Sequence, residues 1–415
     1  MATATTSSGQ AAVLLRIAGP IVAAGIFFAA GAAWQKTRAD HHGNVGPPAL
    51  SASNPSPSTS SRPAPETRTA PSRWPAELLP PAGEFDKQAA VILAGHELVP
   101  HHPEVFRSVV AALHRHVRVI CMISMPEEQV IAAALLEQAK VPADRVVFVR
   151  VPLDSMWVRD YGPFFLKRAD GSVLLADLDY TPPGDEHQFR WRDNGVPRAL
   201  GEVLRLPVLA APLRLGGGGL ITNGRGLFVT TSGVIHENND RGYDPARVHS
   251  LLERHLGCKT WLCLQPLVGE PTSHIDTFIT FVAPDMAVVG QCDPSEDTAN
   301  ADVLNHAARE LSRQQTPLGP MHVQRIPMPP KADGRWRSYT NIILANEVVL
   351  VPTFSDVDQA MQQEALDVYR RLLPARQIIP INADSLATND GLLHCISLQV
   401  PAFVRVALDG VSQGM

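Results

Sequence analysis

Apolar residues follow a regular pattern after residue 83, where short β-branched runs alternate with segments of helical periodicity. Five apolar positions would share one face of a helix over 103–116, namely Val105, Phe106, Val109, Val110 and Leu113. The same patterns predict helices at 126–140, 244–256, 298–314 and 358–373, and strands at 90–94, 117–123, 145–151, 259–264, 341–344, 348–352 and 377–381. This mixture predicts an α/β or α+β fold in one large domain, 83–415.

A different pattern occupies the N-terminus, where residues 17–34 form an uncharged run rich in Ala, Gly, Ile and Phe. As a helix, about 18 residues would rise roughly 27 Å, which is enough for the hydrocarbon core of a bilayer. We therefore predict a hydrophobic helix within an N-terminal segment, 1–40, that serves as an uncleaved anchor or as a signal peptide. Small residues at 29–33 fit a cleavage region, but residues 1–10 lack Lys and Arg, which favours the anchor.

Residues 41–82 join this segment to the large domain and are dominated by Pro, Ser, Ala and Thr. Such a composition buries too little apolar surface to offset the entropy of ordering, so we predict a disordered linker. The expected arrangement is a domain outside the cytoplasm, anchored in the membrane by the N-terminal helix or secreted after cleavage. Basic residues on both sides of the apolar run leave its orientation undecided.

Charge and cysteine usage narrow the classes of function. The formal net charge is −5 and the pI is about 6.3, which argues against a general nucleic-acid binder. Five cysteines are scattered over the chain without a CxxC pair. Neither a small disulfide scaffold nor a cysteine-based zinc site is therefore expected.

The first candidate for chemistry is the segment 154–163, DSMWVRDYGP, in which Trp157, Arg159 and Asp160 follow a predicted strand. Charged groups in such a place are costly to bury unless they are paired. They form either a binding site or a structural salt bridge between Arg159 and an Asp under Trp157. The residues alone leave both interpretations open.

The second candidate is His274-Ile275-Asp276, which begins an apolar segment. In a strand His274 and Asp276 would share one face, while Ile275, Ile279 and Phe281 would point into the core. A histidine beside a carboxylate suits acid–base chemistry. A hydrogen-bonded structural histidine and a metal ligand are the alternatives, although no other ligand lies nearby at a recognisable spacing.

The third candidate is Cys395, which follows His394 and a turn at Gly391 late in the chain. The other four cysteines lie in or beside predicted strands and are interpreted as inert core residues. An unperturbed thiol is only about 3% thiolate at pH 7, so a nucleophilic Cys395 needs a cationic neighbour or a base.

Glycines are concentrated at 216–219 and again in the segment 223–226, NGRG. No GK[ST] sequence and no helical pattern follow, which argues against a phosphate-binding loop. Two tight turns flanking a short strand are expected instead, and they bring backbone close to a ligand.

The order of these blocks, with Tyr339-Thr340-Asn341 between the second and the third, resembles that of the guanidine-modifying superfamily. Within it, residues 85–405 resemble the bacterial peptidylarginine deiminases of the Porphyromonas type, a family that also holds the agmatine deiminases. The resemblance implies a pentein fold, which is a pseudo-fivefold α/β propeller of ββαβ-type modules. It also implies hydrolysis of a guanidinium group without a metal or an organic cofactor.

The resemblance further implies a role for each candidate residue. Asp160 and Asp276 would grip the guanidinium, His274 would be the general acid and base, and Cys395 would be the nucleophile. Trp157, Arg159 and Asn341 would contact the substrate. A covalent amidino-thioether on Cys395 would then be hydrolysed to a ureido group, with release of ammonia.

Two departures from the family pattern leave the substrate open. Many agmatine deiminases carry a Glu where this chain has Gly216. The protein deiminases have an arginine pair that binds a C-terminal carboxylate. The comparable stretch of this chain, 180–187, contains no arginine. Arg190 and Arg192 lie a little further on and are the candidates to replace that pair. The candidates are arginine in peptides or proteins, which the N-terminal segment favours, and agmatine, a cytosolic metabolite.

Three other functions are compatible with the same residues. The fold could transfer an amidino group to an amine instead of water. A Cys395–His274–Asp276 triad could serve an amidase or protease, although that leaves Asp160 without a task. The third alternative belongs to another class of function: the chain would keep the fold and act as a non-catalytic, membrane-tethered binding domain.

Overall fold

A computed structural model describes residues 77–182, 189–331 and 333–406 of the chain. The strands in this part are β1 (Gln88–Ala94), β2 (Arg118–Ile123), β3 (Val146–Arg150), β4 (Phe164–Lys167), β5 (Val173–Asp179), β6 (Val208–Arg214), β7 (Leu220–Thr222), β8 (Leu227–Thr231), β9 (Thr260–Leu264), β10 (Ile279–Ala283), β11 (Met286–Gln291), β12 (Gln315–Thr316), β13 (Gly319–Pro320), β14 (His322–Pro327), β15 (Ile343–Ala345), β16 (Val348–Thr353), β17 (Gln377–Asn382) and β18 (Ser397–Pro401). The helices are α1 (Gly95–His101), α2 (Pro103–Leu113), α3 (Pro126–Gln138), α4 (Val158–Tyr161), α5 (Val196–Leu204), α6 (Gly233–Glu237), α7 (Pro245–Leu256), α8 (Thr298–Ser312), α9 (Gln359–Leu372) and α10 (Asp384–Ala387).

One unit recurs along the chain: two antiparallel strands, a helical crossover, and a third strand parallel to the second. It is formed by β4-β5-β6, β7-β8-β9, β10-β11-β14 and β15-β16-β17. The fifth copy combines both ends of the described chain, because β18 pairs antiparallel with β1, and β1 pairs parallel with β2. Strand β3 extends this last sheet to four strands. The described part of the chain thus contains five ββαβ-type modules.

The helices form where periodicity and capping agree. All five apolar residues predicted on one face of the helix over 103–116 are buried in α2. In α7 the side chain of Asp244 accepts the Arg247 N–H at 2.7 Å, and Gly257 ends the helix with a φ of 74°. Both features satisfy backbone groups that a helix end leaves unpaired. The predicted elements are confirmed, with ends that differ by a few residues.

The predicted hydrophobic helix, 17–34, and most of the predicted linker, 41–82, lie outside the described residues and stay predictions. Within residues 77–182, 189–331 and 333–406, no helix combines the length and apolarity needed to cross a bilayer. The described chain begins with a segment that already contacts the large domain. Leu78 forms an isolated antiparallel bridge with Arg168, and the Leu79 N–H donates to the Lys167 carbonyl at 2.9 Å.

These contacts give a test of the domain boundary. A chain beginning at residue 77 and one beginning at residue 83 should both fold and keep the same activity as the full chain. The shorter one loses backbone hydrogen bonds at the edge of β4, each worth about 0.5–1.5 kcal/mol. It should therefore melt about 2–6 °C lower in a thermal scan. Equal melting temperatures would show that 77–82 adds no stability, and an insoluble longer chain would place the boundary further upstream.

Candidate active site

The predicted site residues lie in the connecting segments, here called loops, that come just before the first strand of each module; the loop before β4 includes the single turn α4. These loops precede β4, β7, β10, β15 and β18 and contain, respectively, Asp160, Gly218, Asp276, Asn341 and Cys395. A closed circuit of hydrogen bonds joins the five loops. Its members are Arg159 N–H to Cys395 O at 3.1 Å, Asn341 Nδ2 to Cys395 Sγ at 3.5 Å, Thr340 Oγ1 to Asp276 O at 3.3 Å, Asp276 N–H to Gly218 O at 3.2 Å, and Gly218 N–H to Asp160 Oδ1 at 3.3 Å. The five modules thus assemble one site.

The glycine run lies where the polar side chains converge. A single 3₁₀ turn (Gly217–Gly219) precedes β7, and a second turn follows that strand, as predicted. A Cβ atom on Gly218 would lie 2.5 Å from His274 Nδ1, 3.0 Å from Asp160 Oδ1 and 3.1 Å from Asp276 Oδ2. Glycine is needed here because the three side chains close around its bare Cα, and not because of an unusual φ.

The prediction that His274 and Asp276 share the face of a strand is wrong. Both residues lie in the loop before β10, which begins only at Ile279. Ser273 has a φ of 58°, which interrupts extended backbone just before His274. The predicted burial of Ile275 and Ile279 is confirmed, because both side chains are fully buried. The loop geometry still brings His274 Nδ1 to 3.5 Å from Asp160 Oδ1.

Asp276 has one occupied and one unoccupied carboxylate oxygen. Its Oδ2 lies 2.6 Å from Nδ1 of His394. Its Oδ1 is buried and, among the described residues, receives no hydrogen bond. Asp276 is only 2% exposed, so this oxygen is an acceptor shielded from bulk water. A buried acceptor without a donor is costly, and a ligand that donates a hydrogen bond would remove that cost.

Cys395 lies within the same site as a protonated thiol. Burial, together with the negative charges of Asp276 and Asp160, raises the pKa of the Cys395 thiol well above its ordinary value. Asn341 opposes this shift weakly, since its amide lies 3.5 Å from the sulfur. A cation placed between the two carboxylates would neutralise the charges that disfavour the thiolate. Binding of a positive group would therefore lower the cost of forming a thiolate at Cys395.

His274 lies among four carboxylates that act on its protonation. Burial opposes its protonation, but Asp160 and Asp276, supported by Glu270 and Glu237, raise the pKa of His274 above its usual range. Burial and the charge of Asp276 in turn raise the pKa of Asp160, against the attraction of His274. A protonated His274 can donate a proton to a leaving group beside the thiol.

The family assignment rests on a match across most of the chain. The family model of the Porphyromonas-type peptidyl-arginine deiminases matches residues 82–401. The chain belongs to this family. Its fold is a mixed α/β pentein, and it is a guanidino-group deiminase, a hydrolase that acts on carbon–nitrogen bonds.

Individual relatives are distant in sequence and similar in length. A provisionally named agmatine deiminase of Marinomonas sp. (strain MWYL1) is 24% identical over 66% of this chain and 81% of its own. Another, of Streptomyces coelicolor, is 26% identical over 62% and 78%. A solved structure, a provisionally named arginine deiminase from Porphyromonas gingivalis, is 27% identical with a TM-score of 0.67 over 79% of this chain and 99% of its own. The agmatine deiminase of Enterococcus faecalis shares the fold, with 19% identity and a TM-score of 0.68 over 78% and 96%.

Two of the residues expected to contact substrate in this deiminase already have partners within the protein. The Trp157 ring packs so closely on Gly391 that a Cβ there would lie 2.2 Å away. The guanidinium of Arg159 pairs with Glu84 at 2.8 Å and also donates to Gln399. The structural salt bridge considered above therefore exists, but its carboxylate is Glu84. Substrate contacts for both residues stay predictions.

The two arginines that follow residues 180–187, Arg190 and Arg192, both have partners within the protein. Arg192 is engaged, since its Nε lies 2.8 Å from Asp154 Oδ1. Arg190 also has an interaction partner, and 183–188 lie outside the described residues. Gly216 would place a Cβ 3.0 Å from His274 Nε2, so the backbone comes close to this histidine.

Sequence patterns did not identify three carboxylates near the deiminase site. Glu84 precedes β1 and contacts both His394 and Arg159. Glu270 accepts the His274 N–H at 3.2 Å and so shapes that loop. Glu237 ends α6, and burial, assisted by Asp160, raises its pKa to about 7. None of these residues has a spacing rule that links it to His274 or Cys395 in the sequence.

Gly218→Ala should inactivate this deiminase through geometry alone. The added methyl group overlaps the positions of His274, Asp160 and Asp276, so at least one of them must move. A displacement of about 1 Å can cost roughly a hundredfold in rate, and overpacking costs about 1–3 kcal/mol of stability. We expect a loss of at least about a hundredfold in kcat/KM.

Gly195→Ala is the matched control for this change. A Cβ on Gly195 would meet no heavy atom within 4 Å, and its φ is −87°. Steady-state kinetics and thermal melting of both variants provide the comparison. Equal activity of Gly218→Ala and the control would mean that the three side chains do not need their observed positions.

Proposed function

We propose that Cys395 attacks a guanidinium carbon held between Asp160 and Asp276, and that the chain hydrolyses the group to a ureido group and ammonia. The observation that carries this proposal is the buried Oδ1 of Asp276, an acceptor without a donor among the described residues. A guanidinium is planar, permanently charged and rich in donors, so it can satisfy this oxygen and a carboxylate on its other side.

Charge complementarity supports the choice of a cation. Asp160 and Asp276 both raise the pKa of the Cys395 thiol, so the unliganded site holds the thiol in its unreactive form. A bound guanidinium compensates both carboxylates and lowers the cost of forming the thiolate. The substrate thus activates the nucleophile that attacks it, and a neutral amide would not do so.

The reaction divides into two steps that use the same residues. In the first, the Cys395 thiol loses its proton to solvent as the guanidinium binds, the thiolate forms a carbon–sulfur bond and a carbon–nitrogen bond breaks, while protonated His274 donates its proton to the departing nitrogen. In the second, water attacks the amidino-thioether, neutral His274 takes one proton of the water, and the carbon–sulfur bond breaks as the second proton returns to the sulfur. The products are ammonia and a neutral ureido group, which the two carboxylates bind less well.

Two guanidines are candidates for the substrate. The agmatine deiminases among the relatives support agmatine, whose product would be N-carbamoylputrescine. The predicted N-terminal anchor supports arginine within peptides or proteins, because agmatine is a cytosolic metabolite. The family model carries the name of the second activity and the relatives carry that of the first.

An ammonia-release assay with agmatine, free arginine and arginine-containing peptides tests the proposal. We expect ammonia from one of the guanidines and none from simple amides, and we expect activity to persist in EDTA because the mechanism uses a thiolate. Loss on chelation that a divalent ion reverses would make His274 and Asp276 metal ligands. Binding of guanidines without ammonia release would favour the non-catalytic domain.

We also propose that the hydrophobic run at 17–34 anchors the protein and places the deiminase domain outside the cytoplasm. The support is its length and lack of charge. Membrane fractionation of the full chain, compared with a chain beginning at residue 77, tests the anchor. Protease accessibility of the domain in intact cells tests the side. A full chain that stays in the soluble fraction without cleavage would contradict the proposal.

A further inference from the structure

A second histidine, His394, lies directly before the proposed nucleophile and has a carboxylate at each ring nitrogen. Its Nδ1 lies 2.6 Å from Asp276 Oδ2. Its Nε2 lies 3.0 Å and 2.9 Å from the two oxygens of Glu84. A neutral imidazole has one N–H and can donate to only one of these acceptors, whereas an imidazolium donates to both. The geometry therefore suits a charged ring.

Glu84 extends this contact into a row of alternating charges. Its Oε1 lies 2.8 Å from Nη1 of Arg159, whose other terminal nitrogen donates to Gln399. The order is Asp276, His394, Glu84 and Arg159, so each buried charge has an opposite charge beside it. Such pairing is what allows ionised groups to remain buried.

This row, which we call the charge row, is directly connected to the residues that are proposed to react. Arg159 precedes Asp160 in the chain and His394 precedes Cys395. The Arg159 N–H donates to the Cys395 carbonyl at 3.1 Å. All four members line a cavity of about 80 Å³ whose walls include Phe165, Ile221, Phe281 and Leu398, from the first strands of four modules. Cys395 is not among the residues that line this cavity.

We infer that His394 is a positioning residue: held as an imidazolium by Asp276 and Glu84, it occupies Oδ2 of Asp276 and leaves Oδ1 free for the guanidinium. His274 and His394 then differ in task although both contact carboxylates of the site. His274 gives up and regains a proton during each turnover. His394 keeps its proton and fixes the orientation of Asp276.

The charges around His394 act in the direction that this inference requires. Burial and the nearby Arg159 oppose protonation, but Glu84 and the hydrogen bond to Asp276 raise the pKa of His394 above its usual value. Burial alone would raise the pKa of Glu84, yet Arg159 and His394 lower it to about 2. The Cys395 thiol adds no charge while it is protonated.

A measurement of ionisation tests the inference without any substrate. In the full chain labelled with ¹⁵N at histidine, the ring signals that are missing from His394→Gln belong to His394. We expect both ring nitrogens to remain protonated at about pH 7.5, where an ordinary histidine with a pKa near 6.5 is mostly neutral. In Glu84→Gln the titration of His394 should move to lower pH by at least about one unit. A neutral His394 at about pH 7.5 in the unaltered protein would overturn the inference.

A kinetic measurement tests the consequence for Asp276 and rests on the proposed function. We compare kcat/KM at about pH 6 with kcat/KM at about pH 8.5. The fall in kcat/KM between these two pH values should be at least about tenfold larger in Glu84→Gln than in the unaltered protein. The reason is that His394 loses its proton within this range and frees Oδ2 of Asp276. A loss of equal size at both pH values would indicate a merely structural role and contradict the inference.

The pair of His96 and Glu128 provides the matched control. Its Nδ1–Oε1 distance is 2.6 Å, and it lies between α1 and α3, outside the five loops of the site. Glu128→Gln makes the same chemical change and should leave the pH profile of kcat/KM unaltered. If the unaltered protein releases no ammonia from any guanidine, the proposed function fails, and the ¹⁵N titration still decides the state of His394.

Discussion

Cys395→Ala is expected to abolish turnover while the protein still binds a guanidinium ligand. The alanine removes the only atom that forms a covalent bond with the substrate carbon in the proposed reaction, and loss of a nucleophile costs several orders of magnitude. Asp160 and Asp276 supply the grip and remain in place. Activity should fall by at least about a thousandfold, while calorimetric titration with agmatine or an arginine peptide should give an affinity within about threefold of the unaltered protein, measured before turnover.

Cys292→Ala is the control for this substitution. Cys292 is another half-buried free cysteine, and it lies beyond the end of β11, away from the five loops. It should retain full activity. More than a few per cent of activity in a clean preparation of Cys395→Ala would remove Cys395 as the nucleophile. Loss of binding together with activity would instead indicate that the thiol also shapes the guanidinium site.

Asp160→Asn should lower kcat/KM by at least about tenfold to a hundredfold and leave the fold intact. Hydrogen bonds to charged groups are worth about 1.5–3 kcal/mol, and each 1.4 kcal/mol is about one decade in rate. Burial raises the pKa of Asp160, so its charged form destabilises the folded state as pH rises above the ordinary carboxylate range. The amide removes that cost, so the melting temperature at neutral pH should stay the same or rise.

Asp177→Asn separates a functional role from a general effect of removing a buried carboxylate. Asp177 in β5 is also mostly buried, and burial raises its pKa too, but it contacts Arg198 outside the site. Its variant should keep normal kcat/KM. Near-normal kinetics of Asp160→Asn combined with a lower melting temperature would make Asp160 a structural residue and remove the main reason for preferring a guanidine.

The sequence was informative where physical constraints are local. The apolar face of α2 and the two ends of α7 depend on residues within one or two helical turns, so periodicity and capping predict them. The site blocks were recognisable because each loop carries its residues within a few positions. By contrast, the positive φ at Ser273 moves His274 off a strand, and nothing in the residue pattern requires it. The contact of Glu84 with His394 joins positions 310 residues apart, which no spacing rule covers.

The pairing of β18 with β1 has a consequence for the order in which the molecule can be made. Strand β1 is among the earliest parts of the domain to be synthesised, but its antiparallel partner comes more than 300 positions later, since Gln88 lies opposite Pro401. Until Ser397–Pro401 has been translated, one edge of β1 offers unpaired backbone groups to other chains. Cys395, the proposed nucleophile, lies just before β18 and is added with the same stretch, so a chain that lacks this stretch also lacks the thiol of the proposed reaction. The pairing of β18 with β1 and the completion of the proposed site therefore coincide in time.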